Sequence, residues 1–209
     1  MIRAGRVSVD HCPVSSPEFQ LDPETSVVAL DGQEIGYKKY RYFMMNKPSG
    51  ILTEDVDTLL PEELSRLRLF PVGRLDKDTT GLLLLTNDGD YAHRVISPKY
   101  EVWKCYEAVT EGIPDEKDTA VFAGGIPLSD FTCLPAELIP SGGNTCRVLV
   151  REGKYHQVKR MLGYVGKPVL HLHRLSIGAL QLKSELEPGF VCEISQEEAA
   201  LVFLQKQQK

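Results

Sequence analysis

Residues 73–89 read GRLDKDTTGLLLLTNDG, and this stretch decides how the rest of the chain is interpreted. Its second half places four leucines, residues 82–85, between turn-forming residues. A short run that is apolar at every position is typical of a strand buried on both faces of a sheet. The first half is polar, so we predict a loop that is fixed against this buried strand.

The polar half carries Asp76 between Arg74 and Lys77. Neighbouring cations favour the ionised form of a carboxyl group, and a carboxylate on a rigid support suits a nucleophile or a general base. An aspartate that only caps a turn would give the same local pattern, so both interpretations stay open on these residues alone. A hydrolase that uses Asp76 and Asp78 as paired carboxylates is a further alternative.

Composition and charge describe an ordinary globular chain. It has 209 residues, of which 42% are hydrophobic and 25% charged, which allows one medium domain or one domain with a small appendage. The net charge of −5 argues mildly against a nucleic-acid partner, because Lys and Arg drive phosphate binding. The cations nevertheless gather in segments 38–41, 94–104 and 151–160, so a local basic surface is compatible with the sequence.

Five scattered cysteines without a Cys-x-x-Cys pair indicate neither a zinc site nor a disulfide framework. We therefore expect reduced thiols and a cytoplasmic protein. The longest apolar run, residues 199–204, is too short to span a bilayer, and no apolar signal segment stands at the N-terminus. His171 and His173 are two residues apart, but no further ligands stand near them, so we expect no metal site.

A second informative stretch, residues 152–162, reads EGKYHQVKRML. Apolar residues recur at i, i+3, i+4 and i+7 from Val158, which predicts one apolar face of a helix. A basic surface helix would give a similar pattern. The polar positions near the helix start are His156, Gln157, Lys159 and Arg160.

The order Gly-Arg-Leu-Asp-x-Asp-Thr-Thr-Gly followed by the leucines resembles the signature of the pseudouridine synthases, in the branch that contains the ribosomal small-subunit enzyme and its large-subunit relatives. In that family the Asp of this motif is catalytic, and the resemblance assigns that role to Asp76. Residues 104–106, Lys-Cys-Tyr, are similar to the family's Lys-x-Tyr motif, which implies that Tyr106 is the active-site tyrosine. Residues 153–161 resemble a Gly-x-x-His-Gln-Val-Lys-Arg-Met motif, in which Lys159 pairs with the catalytic Asp.

The segment around Leu172 and Arg174 is similar to a last family motif, in which the Leu packs against the target base. The resemblance thus implies one catalytic set and one substrate-binding set. The catalytic set is Asp76, Tyr106 and Lys159. The substrate-binding set is Arg74, His156, Gln157, Arg160 and Leu172.

The resemblance also implies the architecture. We expect an α+β catalytic domain over residues 37–209, with a mixed, largely antiparallel central sheet and flanking helices. Residues 1–36 resemble the second half of an S4 RNA-binding domain, so we expect a partial, truncated S4-like segment there.

The implied reaction converts uridine to pseudouridine in ribosomal RNA, by a monomer, without a metal or other cofactor. The His-Gln spelling at residues 156–157 favours the small-subunit enzyme, whose target is uridine 516 of 16S rRNA within the small-subunit particle. A large-subunit rRNA pseudouridine synthase and a catalytically idle RNA-binding or ribosome-assembly module are the alternatives.

Overall fold

The computed structural model describes residues 1–23, 25–36 and 38–204, and it divides the chain into two compact units, Met1–Tyr40 and Arg41–Lys209. The predicted domain boundary adjoins Tyr37, which lies outside the described residues. The assignment of residues 1–36 to an S4-like segment therefore stays a prediction.

The first unit contains a four-stranded antiparallel sheet with the strand order β2-β1-β3-β4. A 3-10 turn, Ile2–Ala4, precedes it. Its small core contains Val9, Val14 and Ala29. The strands are β1 (Val7–Val9), β2 (Cys12–Val14), β3 (Val28–Leu30) and β4 (Gln33–Glu34).

The second unit is an α+β domain built on a nine-stranded sheet. Its strands are β5 (Tyr42–Lys47), β6 (Phe70–Pro71), β7 (Thr80–Thr86), β8 (Lys104–Thr110), β9 (Glu137–Gly142), β10 (Thr145–Val150), β11 (Val169–Ile177), β12 (Leu180–Gln181) and β13 (Val191–Ile194). Its α-helices are α1 (Glu62–Ser65), α2 (Gly89–Ile96), α3 (Glu116–Gly124), α4 (Gln157–Tyr164) and α5 (Gln196–Ala200). Its 3-10 turns are Thr53–Leu59, Pro98–Tyr100 and Leu201–Phe203.

The sheet has the order β13-β5-β7-β11-β8-β10-β9, with β6 also paired to β7 and β12 to β11. The central strands β7 and β11 run parallel, and the other pairs are antiparallel. This arrangement confirms the predicted mixed, largely antiparallel sheet and the α+β class.

The four leucines of β7 are fully buried, as the apolar run predicted. Because successive side chains of a strand point to opposite faces, they alternate between two cores. Leu82 and Leu84 belong to a back core that includes Tyr42, Met44 and Ile177. Leu83 and Leu85 belong to a loop core that includes Phe43, Met45 and Leu75.

The central parallel pair requires a glycine. Gly81 of β7 has a φ of +101°, and a Cβ at this position would lie 2.7 Å from the backbone nitrogen of Arg174 on β11. A real Cβ does not approach a backbone nitrogen so closely, so only glycine lets the two strands meet here.

Helix α4 buries Val158, Met161 and Leu162, which confirms the predicted apolar face. These residues pack in a helix core whose other members include Val148 and Leu172. Since β11 pairs with β7, this packing places the start of α4 against the loop that precedes β7.

Candidate active site

The predicted loop joins β6 to β7, and the end of β5 holds it. Lys47, the last residue of β5, has no exposed surface, and four backbone carbonyl oxygens share the three N–H donors of its Nζ. The acceptors are Pro48 at 3.1 Å, Asp76 at 3.2 Å, Lys77 at 3.3 Å and Thr79 at 3.1 Å. Since a buried ammonium group is unfavourable without partners, these four contacts make Lys47 an anchor for the backbone around Asp76.

Burial lowers the pKa of Lys47, and the carboxylates of Asp78 and Asp76 partly oppose this effect. Thr53 holds the other side of the loop. Its Oγ1 accepts a hydrogen bond from the backbone N–H of Leu75 at 2.9 Å and donates to the backbone oxygen of Leu75 at 2.7 Å. Asp76 is therefore flanked by fixed backbone on both sides.

The carboxylate of Asp76 faces the start of α4. Lys159 Nζ lies 2.9 Å from Asp76 Oδ2, and His156 Nε2 lies 3.4 Å from Asp76 Oδ1. The side chains of Asp76 and Lys159 are only 25% and 20% exposed. An ammonium group at this distance, partly shielded from water, orients the carboxylate and balances its charge.

Lys159 also binds a second carboxylate, because its Nζ lies 2.6 Å from Asp78 Oδ1. This hydrogen bond lowers the pKa of Asp78 below its ordinary value. Partial burial alone would lower the pKa of Lys159, but its hydrogen bonds to Asp78 and Asp76 outweigh that effect and raise it. Lys159 is therefore held in its charged form between two aspartates.

Tyr106 lies on β8 and packs against both the loop core and the helix core. It thus contacts the cluster that contains Leu75, the residue before Asp76, and the cluster that contains Leu172. Leu172 itself is buried. The structure therefore places Tyr106 and Leu172 in adjoining apolar layers next to the loop.

Arg174, one strand position from the predicted histidine pair, connects Tyr106 to β7. Its Nε donates to the backbone oxygen of Leu82 at 2.7 Å, and its Nη1 lies 3.5 Å from the Tyr106 hydroxyl. Its guanidinium carbon lies 5.9 Å from the centre of the Tyr106 ring. Its Nη2 is buried and has no hydrogen-bond partner among the described residues, so this atom has an unused donor beside Tyr106.

Gln157 points into the protein instead of lying on an open helix face. Its Nε2 donates to Glu152 Oε1 at 2.7 Å, and its Oε1 accepts from the backbone N–H of Lys154 at 3.0 Å. Only 4% of Gln157 is exposed. Its amide therefore holds the turn that leads into α4, and its substrate contact stays a prediction.

Two predicted substrate-binding arginines lie outside the cluster around Asp76. Arg160 pairs with Asp130, and its guanidinium carbon lies 5.1 Å from the ring centre of Phe131. The side chain of Arg74 is 79% exposed, and its Nη2 lies 3.5 Å from Glu54 Oε2. Both arginines are thus paired with carboxylates other than Asp76, and their substrate contacts stay predictions.

Lys47, Arg174 and Asp78 are the site residues that the predicted set did not include. For Lys47 the sequence holds no local signal, because a lysine at the end of a strand is usually exposed and its partners here are backbone carbonyl oxygens. For Arg174 a usable signal is an arginine inside an otherwise half-apolar strand pattern.

The histidine pair lies on one face of β11, with ring centres 6.4 Å apart. His173 Nδ1 lies 2.7 Å from Thr80 Oγ1, and burial lowers the pKa of His173, with a further contribution from His171. In the described ranges, no three His, Cys, Asp or Glu side chains converge closely enough to hold a metal ion. Nor does that part of the chain contain a helix long and apolar enough to cross a membrane.

Comparison with known proteins identifies the family. A profile of the RNA pseudouridylate synthase family matches residues 41–164. The chain is 42% identical over 211 residues to ribosomal small subunit pseudouridine synthase A of Escherichia coli, covering 96% of this chain and 90% of that protein. It is 40% identical over 215 residues to an uncharacterised RNA pseudouridine synthase of Bacillus subtilis, covering 97% of this chain and 90% of that protein.

The fold gives the same result. A crystal structure of a pseudouridylate synthase superposes on this chain with a TM-score of 0.75 at 33% sequence identity, covering 96% of this chain and 90% of that one. The matched residues include the sheet, the loop around Asp76 and the start of α4. The chain belongs to the RNA pseudouridine synthase family of enzymes.

Proposed function

We propose that this enzyme isomerises one uridine of ribosomal RNA to pseudouridine, and that the target is uridine 516 of 16S rRNA in the small-subunit particle. The observation that carries the proposal is the ion pair between Asp76 Oδ2 and Lys159 Nζ, at 2.9 Å, on a loop anchored by the buried Lys47. A protein that only binds RNA does not require a carboxylate fixed in this way.

The reaction moves one glycosidic bond. The N1–C1′ bond of the uridine breaks, the base rotates, and a C5–C1′ bond forms. The hydrogen on C5 leaves to water and N1 gains a hydrogen, so the base keeps its composition. The chemistry therefore needs a group at the ribose and a way to hold a detached base, and it needs no electron acceptor.

Asp76 is the group that we assign to the ribose or the base. Its carboxylate either adds to C1′ or removes the 2′ proton, and both steps require an ionised, oriented oxygen. Lys159 and His156 supply that orientation from two sides. The role of Lys159 is thus to hold the carboxylate in place and to balance its charge.

Tyr106 and Leu172 are the groups that we assign to the detached base. The uridine has to leave its stack to reach Asp76, at a cost of about a few kcal/mol. Stacking on Tyr106 against an apolar wall that includes Leu172 would offset this cost, and the two side chains share the helix core. The buried Nη2 of Arg174, beside Tyr106, offers a donor to a carbonyl oxygen of the base.

The choice of ribosomal RNA rests on the relatives. The Escherichia coli protein that is 42% identical to this chain is a ribosomal small subunit pseudouridine synthase, and the alignment covers 90% of its length. We further propose that residues 1–36 are a partial S4-like segment that contacts the same RNA, that residues 37–209 are the catalytic domain, and that the enzyme acts as a cytoplasmic monomer.

The test is tritium release from C5-tritiated uridine in 16S rRNA and in small-subunit particles. Asp76→Ala should abolish release while it leaves RNA binding, measured by filter retention, within about twofold of the wild type. Asp57→Ala, at an exposed acidic residue outside the loop, should release tritium at the wild-type rate.

Each result bears on one part of the proposal. Release from 23S rRNA alone would contradict the small-subunit target and favour the large-subunit alternative. Tritium release by Asp76→Ala would contradict the assignment of Asp76. Tight RNA binding without release by the wild type, from either rRNA, would support the idle-module alternative.

A further inference from the structure

Tyr155 is a strongly exposed aromatic residue that stacks on His156, a neighbour of the proposed catalytic carboxylate. The residue is 76% exposed, and its ring stacks on the ring of His156, with centroids 3.9 Å apart and planes 15° apart. His156 Nε2 in turn lies 3.4 Å from Asp76 Oδ1. His156 therefore lies between Asp76 and the exposed ring of Tyr155.

The backbone under this pair is fixed by a buried polar network. Glu152 is 7% exposed, and its Oε1 accepts hydrogen bonds from Gln157 Nε2 at 2.7 Å and from the backbone N–H of Leu134 at 2.8 Å. Gln157 also accepts from the backbone N–H of Lys154 at 3.0 Å. The turn that carries Tyr155 is thus tied to both of its flanking segments.

The conformation of His156 directs its ring to the site. His156 has a φ of +49°, in the left-handed region, and it stands at the N-cap of α4 without a side-chain capping bond. A left-handed conformation is unfavourable for a non-glycine residue and is found where surrounding structure enforces it. Here it keeps the imidazole beside Asp76 and one face of it against Tyr155.

A single exposed tyrosine needs no explanation in most proteins. Tyr155 differs because one face of its ring is covered by an imidazole, while the residue as a whole is 76% exposed. Lys154 precedes it in the chain and is exposed, whereas Lys159 and Arg160 in α4 are paired with aspartates. A flat apolar face next to an exposed lysine fits a nucleobase whose phosphate lies nearby, because bases stack on aromatic rings and phosphates bind Lys and Arg.

We propose that the outer face of Tyr155 is a stacking subsite for a nucleobase next to the target uridine in the RNA strand. The inference rests on the proposed function, since it assumes an RNA substrate whose uridine reaches Asp76. When that uridine leaves the stack, its neighbours lose a stacking partner. Tyr155 replaces the lost partner and so holds the strand in register with Asp76, and the subsite accepts any base because every base has a π face.

The test uses short RNAs with the target sequence and the fluorescent base 2-aminopurine at the 5′ or the 3′ neighbour of the target uridine. Stacking on a ring quenches this fluorophore, and binding is measured in an Asp76→Asn background that does not turn over. We expect Tyr155→Ala to remove the quench at one of the two neighbours. In the otherwise wild-type enzyme, Tyr155→Ala should raise KM about 10-fold and change kcat less than about twofold, in line with the loss of one stacked base.

Two control variants test whether the aromatic ring of Tyr155 itself causes the effect. Tyr155→Phe keeps the aromatic face and should restore the wild-type quench and KM. Tyr164→Ala removes a tyrosine that is 53% exposed at the end of the same helix, and it should change neither. Thermal unfolding of all three variants should match the wild type, because neither tyrosine is buried.

Three outcomes would overturn the inference: a wild-type quench and KM for Tyr155→Ala, a Tyr155→Phe variant as impaired as Tyr155→Ala, or a loss confined to kcat. Failure of the proposed function gives a different pattern. In that case the wild type converts no uridine in these RNAs, while the quench in the Asp76→Asn background still decides whether Tyr155 stacks on a base.

Discussion

The Nζ atom of Lys47 donates a hydrogen bond to the backbone oxygen of Asp76, at 3.2 Å, from a position with no exposed surface. The proposed catalytic residue is therefore held through its own backbone by a cation that lies under it. The same cation binds the carbonyl oxygens of Lys77 and Thr79, so it fixes the loop as a unit. The side chain of Asp76 remains free for Lys159, His156 and the substrate.

Replacement of Lys47 should loosen this loop. Lys47→Met removes a buried donor and leaves four carbonyl oxygens without it, so we expect the free energy of unfolding to fall by about 2 to 4 kcal/mol. Tritium release should fall more steeply than the loss of folded protein explains, because the carboxylate of Asp76 loses its fixed position. Urea titration and single-turnover kinetics on the same preparation check both effects.

Lys77→Met is the matched control for this variant. Lys77 is exposed, and Lys47 contacts only its backbone oxygen, which the substitution keeps. The Lys77 variant should unfold like the wild type, and its turnover per folded molecule should fall less than that of Lys47→Met. A Lys47→Met enzyme with wild-type turnover per folded molecule would show that the anchor has no catalytic consequence.

Asp78 should affect activity through Lys159. The hydrogen bond from Lys159 to Asp78 helps to raise the pKa of the lysine, so Asp78→Asn should lower that pKa. Lys159 would then lose its proton at lower pH, and the alkaline limb of the kcat/KM profile should move to lower pH. Because the side chain of Asp78 is 72% exposed, the loss at neutral pH should be only about two- to fivefold.

The pH profile of Asp57→Asn, which removes an exposed carboxylate outside the loop, is the reference for this shift. An alkaline limb that stays in place in Asp78→Asn would indicate that Lys159 is not the group that titrates there.

Stability should depend on the leucines of β7 far more than on exposed leucines. Leu83 has no exposed surface, so Leu83→Ala should lower the free energy of unfolding by about 3 kcal/mol through lost burial and the resulting cavity. Leu170 is 61% exposed, and Leu170→Ala should change it by less than about 0.5 kcal/mol. Equal effects in urea titration would contradict the two-sided burial of β7.

Lys104 should make stability rise with pH in the alkaline range. Burial lowers its pKa to about 8, with a further lowering by Arg174 that Glu152 partly opposes. In the unfolded chain the ordinary value is 10.5, so between these two values the unfolded chain binds more protons and stability increases with pH. From about pH 7.5 to about pH 9.5 the contribution is about 2 kcal/mol.

Lys104→Met lacks this titration, so the difference in unfolding free energy between the wild type and the variant should grow by that amount over the same pH range. Lys117→Met, at an exposed lysine, should show a constant difference. A constant difference for Lys104→Met as well would mean that Lys104 is solvated in the folded protein.

The sequence predicted the elements whose signal is local. Four consecutive leucines between turn residues are sufficient to predict a strand with two buried faces, and the spacing from Val158 is sufficient to predict the apolar face of α4. The family resemblance predicted that Lys159 pairs with Asp76, 83 positions earlier in the chain, and Lys159 Nζ lies 2.9 Å from Asp76 Oδ2 in the structure. No local pattern relates these two residues.

The contacts that the sequence did not predict are long-range or depend on a turn. The acceptors of Lys47 include carbonyl oxygens about thirty positions further along the chain, and carbonyl oxygens have no residue type to recognise. Gln157 was expected on a polar helix face, but it is the first residue of α4, where its amide reaches back to Glu152 and Lys154. Helical periodicity predicts which side chains of a helix share a face. It does not predict that a side chain at the first helix residue turns back to bond with the segment before the helix.

Because the leucines of β7 alternate between the back core and the loop core, we expect the two cores to unfold together. The loop of Asp76 continues directly into this strand, so loss of packing on the far side of the sheet should also displace the proposed catalytic carboxylate. Heat inactivation and cooperative unfolding should then follow one curve. For this enzyme, residual activity would then report the fraction of molecules in which the second unit is folded.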